Sequence, residues 1–140
     1  MWIQNVSLSD IHQAWHYDPG PNNLLIRIVD PYMEFTPVKY PFNHALEFKF
    51  LDAEQGPHCI TEIDANIIVA ALMQASRRKT NVIVHCHAGI CRSGAVAEFA
   101  ISRLGFEDTG TYRQPNLLVK RMLNETFDQI IGDPNVNPYG

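Results

Sequence analysis

Apolar positions fall into short runs in the first third of the chain and into helical spacing in the remainder. Trp2 to Val6 reads as a strand, and Leu24 to Val29 as a buried strand closed by Asp30 and Pro31. Between them, His16 to Asn23 holds too many turn formers to continue either element. Prolines at 37 and 41 break any period from Tyr32 to Asn43, which reads as loop. Ala45 to Phe50 then alternates Leu46, Phe48 and Phe50 with Glu47 and Lys49, the pattern of a half-buried strand, and the chain leaves it at Asp52. After a loop from Ala53 to His58, Thr61 precedes Glu62 and Asp64, which places acids in the first turn of a helix running to about Lys79. Arg77, Arg78 and Lys79 suit its carboxyl end, as a solvated cationic terminus or as a docking site.

Asn81 turns the chain into Val82, Ile83 and Val84, a β-branched run of the kind found in central strands of parallel sheets. Ser93 to Leu104 follows with helical spacing and stops at Gly105, a residue suited to a left-handed cap. Gln114, Pro115 and Asn116 open a last helix, in which Leu117, Leu118, Met122, Leu123 and Phe127 make a buried stripe to about Ile130. The stretch from Gly132 to Gly140 reads as a frayed, turn-rich tail. Strands followed by strand and helix in alternation predict an α/β fold, with a central, mainly parallel, mixed sheet flanked by helices. At 140 residues the chain reads as a single domain, 1–140.

Composition narrows the class without naming a function. Apolar residues at 46% and charged ones at 19% support a packed core. A net charge of -4 supplies no field to draw phosphate backbones or anionic lipid, so neither a nucleic-acid nor a membrane partner is expected. Met1 to Asp10 lacks a basic segment followed by an apolar one, and no apolar run approaches a membrane span, so a cytoplasmic location is expected. The odd set Cys59, Cys86 and Cys91 points to thiols with chemistry or burial rather than to a disulfide framework.

The chemistry concentrates in the run from His85 to Gly94, set between the buried strand and the next helix. A strand-to-helix junction turns unpaired amides into one small bowl and adds the positive end of a helix dipole, an arrangement that binds a tetrahedral dianion. Gly89 would let the loop bring its amides inward, and the planar fork of Arg92 can grip two oxygens at once. Cys86 at the floor of that field is favoured as thiolate and becomes the nucleophile. The amides and side chains of His87, Ala88, Gly89, Ile90, Cys91 and Arg92 form the expected phosphate-binding loop, with Ser93 placed to hydrogen-bond the sulfur as a leaving group. His85 is expected to support the loop, and His87 to add charge or touch substrate.

Five residues separate Cys86 from Arg92, and this Cys-x5-Arg-Ser run, preceded by His and an apolar strand, resembles the signature of the cysteine-based protein tyrosine phosphatases. The resemblance spans residues 45 to 130 and is nearest to the dual-specificity branch, which carries a similar Pro-Asn pair at Pro115 and Asn116, here followed by Leu117 and Leu118. It implies metal-independent hydrolysis of phosphoesters through a phosphocysteine, without cofactor, on a phosphorylated protein bearing phosphotyrosine or also phosphoserine and phosphothreonine. It also implies a general acid some thirty to forty residues before the cysteine. Asp52, 34 residues before Cys86, fills that place, with Glu54 as the alternative acid. Asn116 is then a supporting residue. Cys86-x4-Cys91 further matches the cysteine pair of the low-molecular-weight tyrosine phosphatases, which makes Cys91 a redox partner for Cys86, with Cys59 as another possible resolving thiol.

Several other readings stand beside this one. The same loop chemistry serves enzymes acting on phosphoinositides or RNA 5′-phosphates, and a binding module or a sulfur transferase can use an anion-cradling loop. His85, Cys86, His87 and Cys91, with His58 and Cys59, also have zinc-ligand chemistry, against which stand their adjacency and the Arg92 charge. Tyr32, Phe35, Tyr40 and Phe42 can supply an aromatic pocket wall or core packing.

Overall fold

The computed structural model describes residues 1–12, 18–133 and 135. The expectations for His16 and Tyr17 and for most of the tail therefore lie outside the described residues. In chain order the elements are β1 (Trp2–Ser7), α1 (Leu8–His12), β2 (Asn23–Val29), β3 (His44–Lys49), α2 (Glu62–Arg77), β4 (Asn81–Cys86), α3 (Arg92–Leu104), β5 (Glu107–Asp108) and α4 (Leu117–Gly132). Among the described residues the strands form one five-stranded sheet in the order β3-β2-β4-β1-β5. All four pairings are parallel, which corrects the expectation of a mixed sheet. A tight hairpin would have made an antiparallel pair, but each strand here is followed by a connection that carries the chain back to the same end of the sheet.

Alternation along the central strands sorts the core into two layers. Leu24, Ile26, Ile28, Val82 and Val84 face α2, α3 and α4, whose Ile68, Leu72, Val96, Phe99 and Leu123 complete the larger cluster. Leu25, Ile83 and Val6 face the other way, toward Ile11 of α1 and toward Val38 and Phe42 of the segment between β2 and β3. Five-residue α1 and two-residue β5 are missing from the sequence reading because neither is long enough to show a period.

Local chemistry sets the helix ends. Thr61 caps α2 by accepting from the Asp64 amide (3.1 Å), while the Asp64 carboxylate accepts the Thr61 amide (3.1 Å). Helix α3 stops at Gly105, whose φ of 76° is the left-handed value that glycine takes without strain. Asn116 caps α4 by accepting from the Val119 amide at 3.0 Å.

In a parallel sheet all carboxyl strand ends lie on one side, and there Asp30 follows β2, Phe50 and Asp52 follow β3, and Cys86 ends β4. The loop from His87 to Cys91 lies close against the end of β1. Gly89 has φ 76°, and a Cβ on it would stand 2.3 Å from the Val6 carbonyl carbon and 2.4 Å from the Ser7 amide nitrogen. Both causes forbid a side chain there. Gly89→Ala is therefore expected to lower unfolding stability by at least about 2 kcal/mol in denaturant titration. A change within about 0.5 kcal/mol would mean that the loop does not hold this approach.

Candidate functional site

The loop between β4 and α3 is fastened by its carbonyls. Leu8 donates its amide to the His87 carbonyl (3.0 Å), Gln114 to that of Ile90 (3.2 Å), and both Ala95 and Asn116 to that of Cys91 (2.9 Å each). The Gly89 carbonyl accepts from the side-chain amide of Asn5 at 2.7 Å. A trans peptide points its N–H opposite to its C=O, so these anchors turn the amides of Ala88, Ile90, Cys91 and Arg92 away from the anchoring elements. No described acceptor takes a backbone amide between Ala88 and Arg92.

Cys86 is 2% exposed, and its sulfur lies 3.1 Å from the Ser93 hydroxyl in the first turn of α3. Arg92 is buried beside it. Its Nη1 donates to Asp30 Oδ1 (2.7 Å) and to the Phe50 carbonyl (2.8 Å), whereas its buried Nε has no partner. The guanidinium is thus held by one nitrogen and keeps another unspent. A cavity of about 380 Å³ is lined by Cys86, His87, Cys91 and Arg92 from one side and by Asp30 and Asp52 from the strand ends opposite.

Asp52 is positioned from α4. The Asn116 side chain donates to Asp52 Oδ1 (2.8 Å) and to the Ala53 carbonyl (3.2 Å), while the Asn116 backbone amide holds the Cys91 carbonyl. One buried residue therefore ties the loop to the carboxylate across the cavity. Glu54 points elsewhere and accepts from the Leu117 amide at 3.3 Å. Cys91 borders the cavity, and burial together with neighbouring Asp52 pushes its thiol up, so it is a poor nucleophile near neutral pH. Cys59 does not line this cavity, and His58 uses its carbonyl to accept the Leu51 amide (2.8 Å). Among the described residues no three His, Cys, Asp or Glu side chains stand together as a metal site.

Beneath the loop lies a polar layer. His85 is fully buried, and its Nε2 accepts from Arg27 Nε at 3.0 Å, which leaves the ring proton on Nδ1, 3.4 Å from the Cys86 carbonyl. Burial first, and the Arg27 charge second, push its pKa down to about 4. Arg27 in turn meets Glu47 at 3.6 Å and the face of Phe35 at 5.3 Å.

Cys86, Asp52, Ser93, His87, Cys91 and Arg92 are thus gathered at one end of the sheet, with His85 and Asn116 behind them. Three residues were missed: Asp30, Asn5 and Arg27. Each left a signal, as an acid just after a buried strand or as a polar group inside an apolar run. The aromatic wall does not assemble. Only Tyr32 reaches a residue of the cavity, donating to Asp30 Oδ2 at 3.0 Å, whereas Phe35 covers Arg27 and Phe42 packs on the second core.

The depressed His85 has a measurable consequence. Unfolded histidine takes a proton near 6.5 and the folded one only near 4, so acidification through that window favours unfolding, by of order 3 kcal/mol in total. His85→Gln, which can still accept from Arg27, should flatten the loss of stability between pH 6.5 and 4. Asp108, held down to about 2 by Arg113, contributes only below its ordinary 3.8, so the two windows separate. An unchanged pH profile for His85→Gln would contradict the buried neutral ring. No protein-family model, curated protein or solved structure matches this chain.

Proposed function

We propose that the protein is a cysteine-dependent, metal-independent phosphoester hydrolase of the kind its Cys86-x5-Arg92-Ser93 run resembles, acting on phosphorylated protein through a phosphocysteine. The observation that carries the reading is the unspent donor set around the buried sulfur: amides from Ala88 to Arg92 without acceptors and a buried Arg92 Nε without a partner. A buried donor such as Arg92 Nε is rarely left unpaired, and together with the loop amides it would match the oxygens of a phosphoryl group.

In the first step the Cys86 thiolate attacks phosphorus and the phosphorus–oxygen bond to the leaving group breaks. Asp52, protonated, gives its proton to the departing oxygen. In the second step Asp52 takes a proton from water as the hydroxide oxygen bonds to phosphorus and sulfur leaves, stabilised by the Ser93 hydroxyl. Arg92 and the loop amides bind the equatorial oxygens in both transition states. Asn116 orients the acid, and Asp30 holds the guanidinium in place. After peroxide has oxidised Cys86 to a sulfenic acid, the Cys91 thiol would give up its proton and close a disulfide with loss of water, a step that its raised pKa makes slow near neutral pH.

Hydrolysis should be assayed under reducing conditions and without metal, on phosphotyrosyl and phosphoseryl peptides, an inositol phospholipid and a 5′-triphosphate RNA. Cys86→Ser is expected to lose turnover by roughly a thousandfold or more while still binding a phosphopeptide. Asp52→Asn should lower kcat by about 10² to 10⁴, and least for substrates whose leaving group needs no proton. Activity confined to the lipid or the RNA would overturn the protein substrate, and no hydrolysis of any of the four would overturn the enzyme.

A further inference from the structure

The cavity over Cys86 does not end at Asp52. Asp52, Ala53 and Cys91 also line a second groove of about 1080 Å³, which continues along Glu54 and Gln55 and along the segment from Arg113 to Leu117. Displacement at phosphorus sets the entering and leaving atoms roughly in line. With the sulfur at the buried floor, the leaving oxygen stands toward the mouth beside Asp52, and the chain that carries this oxygen has the groove next to it.

The charges along this path decide what fits it. Arg92 and Arg113 are the only lysine or arginine side chains that line either space. Arg92 is buried and paired with Asp30, and Arg113 spends its charge on Glu98 at 2.6 Å and Asp108 at 2.9 Å. Asp52 is neutral while it carries the proton destined for the leaving oxygen. Glu54 is then the unanswered charge of the groove. It is exposed, accepts only from the Leu117 amide at 3.3 Å, and forms no ion pair among the described residues. Leu117 beside it is 63% exposed and offers apolar surface to the methylene stem of a long cationic side chain. Glu54 follows Asp52 by two residues, at most about 7 Å of extended chain, which places a complementary cation one or two positions from the phosphorylated residue.

We propose that the groove seats the peptide next to the phosphorylated residue and that Glu54 selects a lysine or arginine one or two positions from it. This rests on the phosphatase reading of Cys86 and Arg92 and adds the sequence of the substrate to it. The same carboxylate disfavours an inositol polyphosphate or a 5′-triphosphate, whose further charges would meet no unpaired lysine or arginine along the path.

Cys86→Ser protein titrated with fluorescent phosphotyrosyl and phosphoseryl peptides reads binding without turnover. At low salt, peptides with lysine at the neighbouring positions are expected to bind about three- to tenfold more tightly than those with glutamate there, and salt should shrink the ratio. Adding Glu54→Gln should bring the ratio close to one, and Glu54→Lys should invert it. Glu125→Lys, the same charge change on α4 outside the groove, should leave it as it was. A ratio near one without the second substitution, or one that Glu54→Lys does not move, overturns the inference and leaves the phosphatase reading standing. Tighter binding of an inositol polyphosphate or a 5′-triphosphate RNA than of the lysine peptides overturns it as well. If no phosphopeptide outbinds its unphosphorylated form, the phosphopeptide reading of the site falls, and this inference with it.

Discussion

A loop can present its amides to an anion only if its carbonyls are tied down elsewhere, because each peptide plane carries the two in opposite directions. Here the ties come from four separate places: the start of α1, the Asn5 side chain, the segment before α4, and the first turn of α3. Only the last of these is local to the loop. Asn5 is the most telling, since a fully buried amide in a central strand would be a liability without the Gly89 and Tyr112 carbonyls it satisfies, the latter at 3.1 Å. The small sheet, its short α1 and the register that brings β1 beside β4 all serve to place those anchors around one turn of chain.

The guanidinium of Arg92 answers a second constraint. A buried cation with no partner costs several kcal/mol, and Asp30 with the Phe50 carbonyl offsets that cost. Both partners stand at carboxyl ends of parallel strands, so the geometry that makes the crevice also supplies the counter-charge. Because both bonds use Nη1, the fork is fixed in position without being saturated. An anion entering the cavity would meet a donor already oriented, with little ordering left to be done on binding.

How much of this could be seen in the sequence depended on whether the signal was local. The buried run at β4, the alternation at β3 and the capping residues Thr61, Gly105 and Asn116 each act within a few residues, and each element came out within two residues of its reading. The loop from His87 to Cys91 was legible because glycine, arginine and serine at fixed offsets are themselves local. Asp30, Asn5 and Arg27 were not, because each acts on a residue more than 50 positions away, and only the sheet order says who their neighbours are. A mainly parallel sheet was read, but that none of the described pairings is antiparallel was hidden for the same reason. Tyr32, Phe35, Tyr40 and Phe42 show the opposite case, since proximity in sequence allowed a shared wall, whereas only Tyr40 and Phe42 stay in ring contact, at 5.0 Å, with Phe42 packed on the core, and Phe35 covers Arg27.

The layer under the loop shows why a histidine and an arginine can sit together in the buried part of the sheet. Two cations there would repel in a low dielectric, but burial keeps the His85 ring neutral, and a neutral ring can accept from Arg27 on one nitrogen while carrying its proton on the other. That proton is directed toward the Cys86 carbonyl, on the peptide that leads into the loop. The Arg27 charge is then balanced at a distance by Glu47 and by the face of Phe35, on the side of the sheet away from the sulfur. A charged ring in the same place would have to turn its second proton on Arg27. The neutral state is therefore what allows β2 and β4 to run side by side at Arg27 and His85, and with them the alignment of Asp30 and Cys86 at the same end of the sheet.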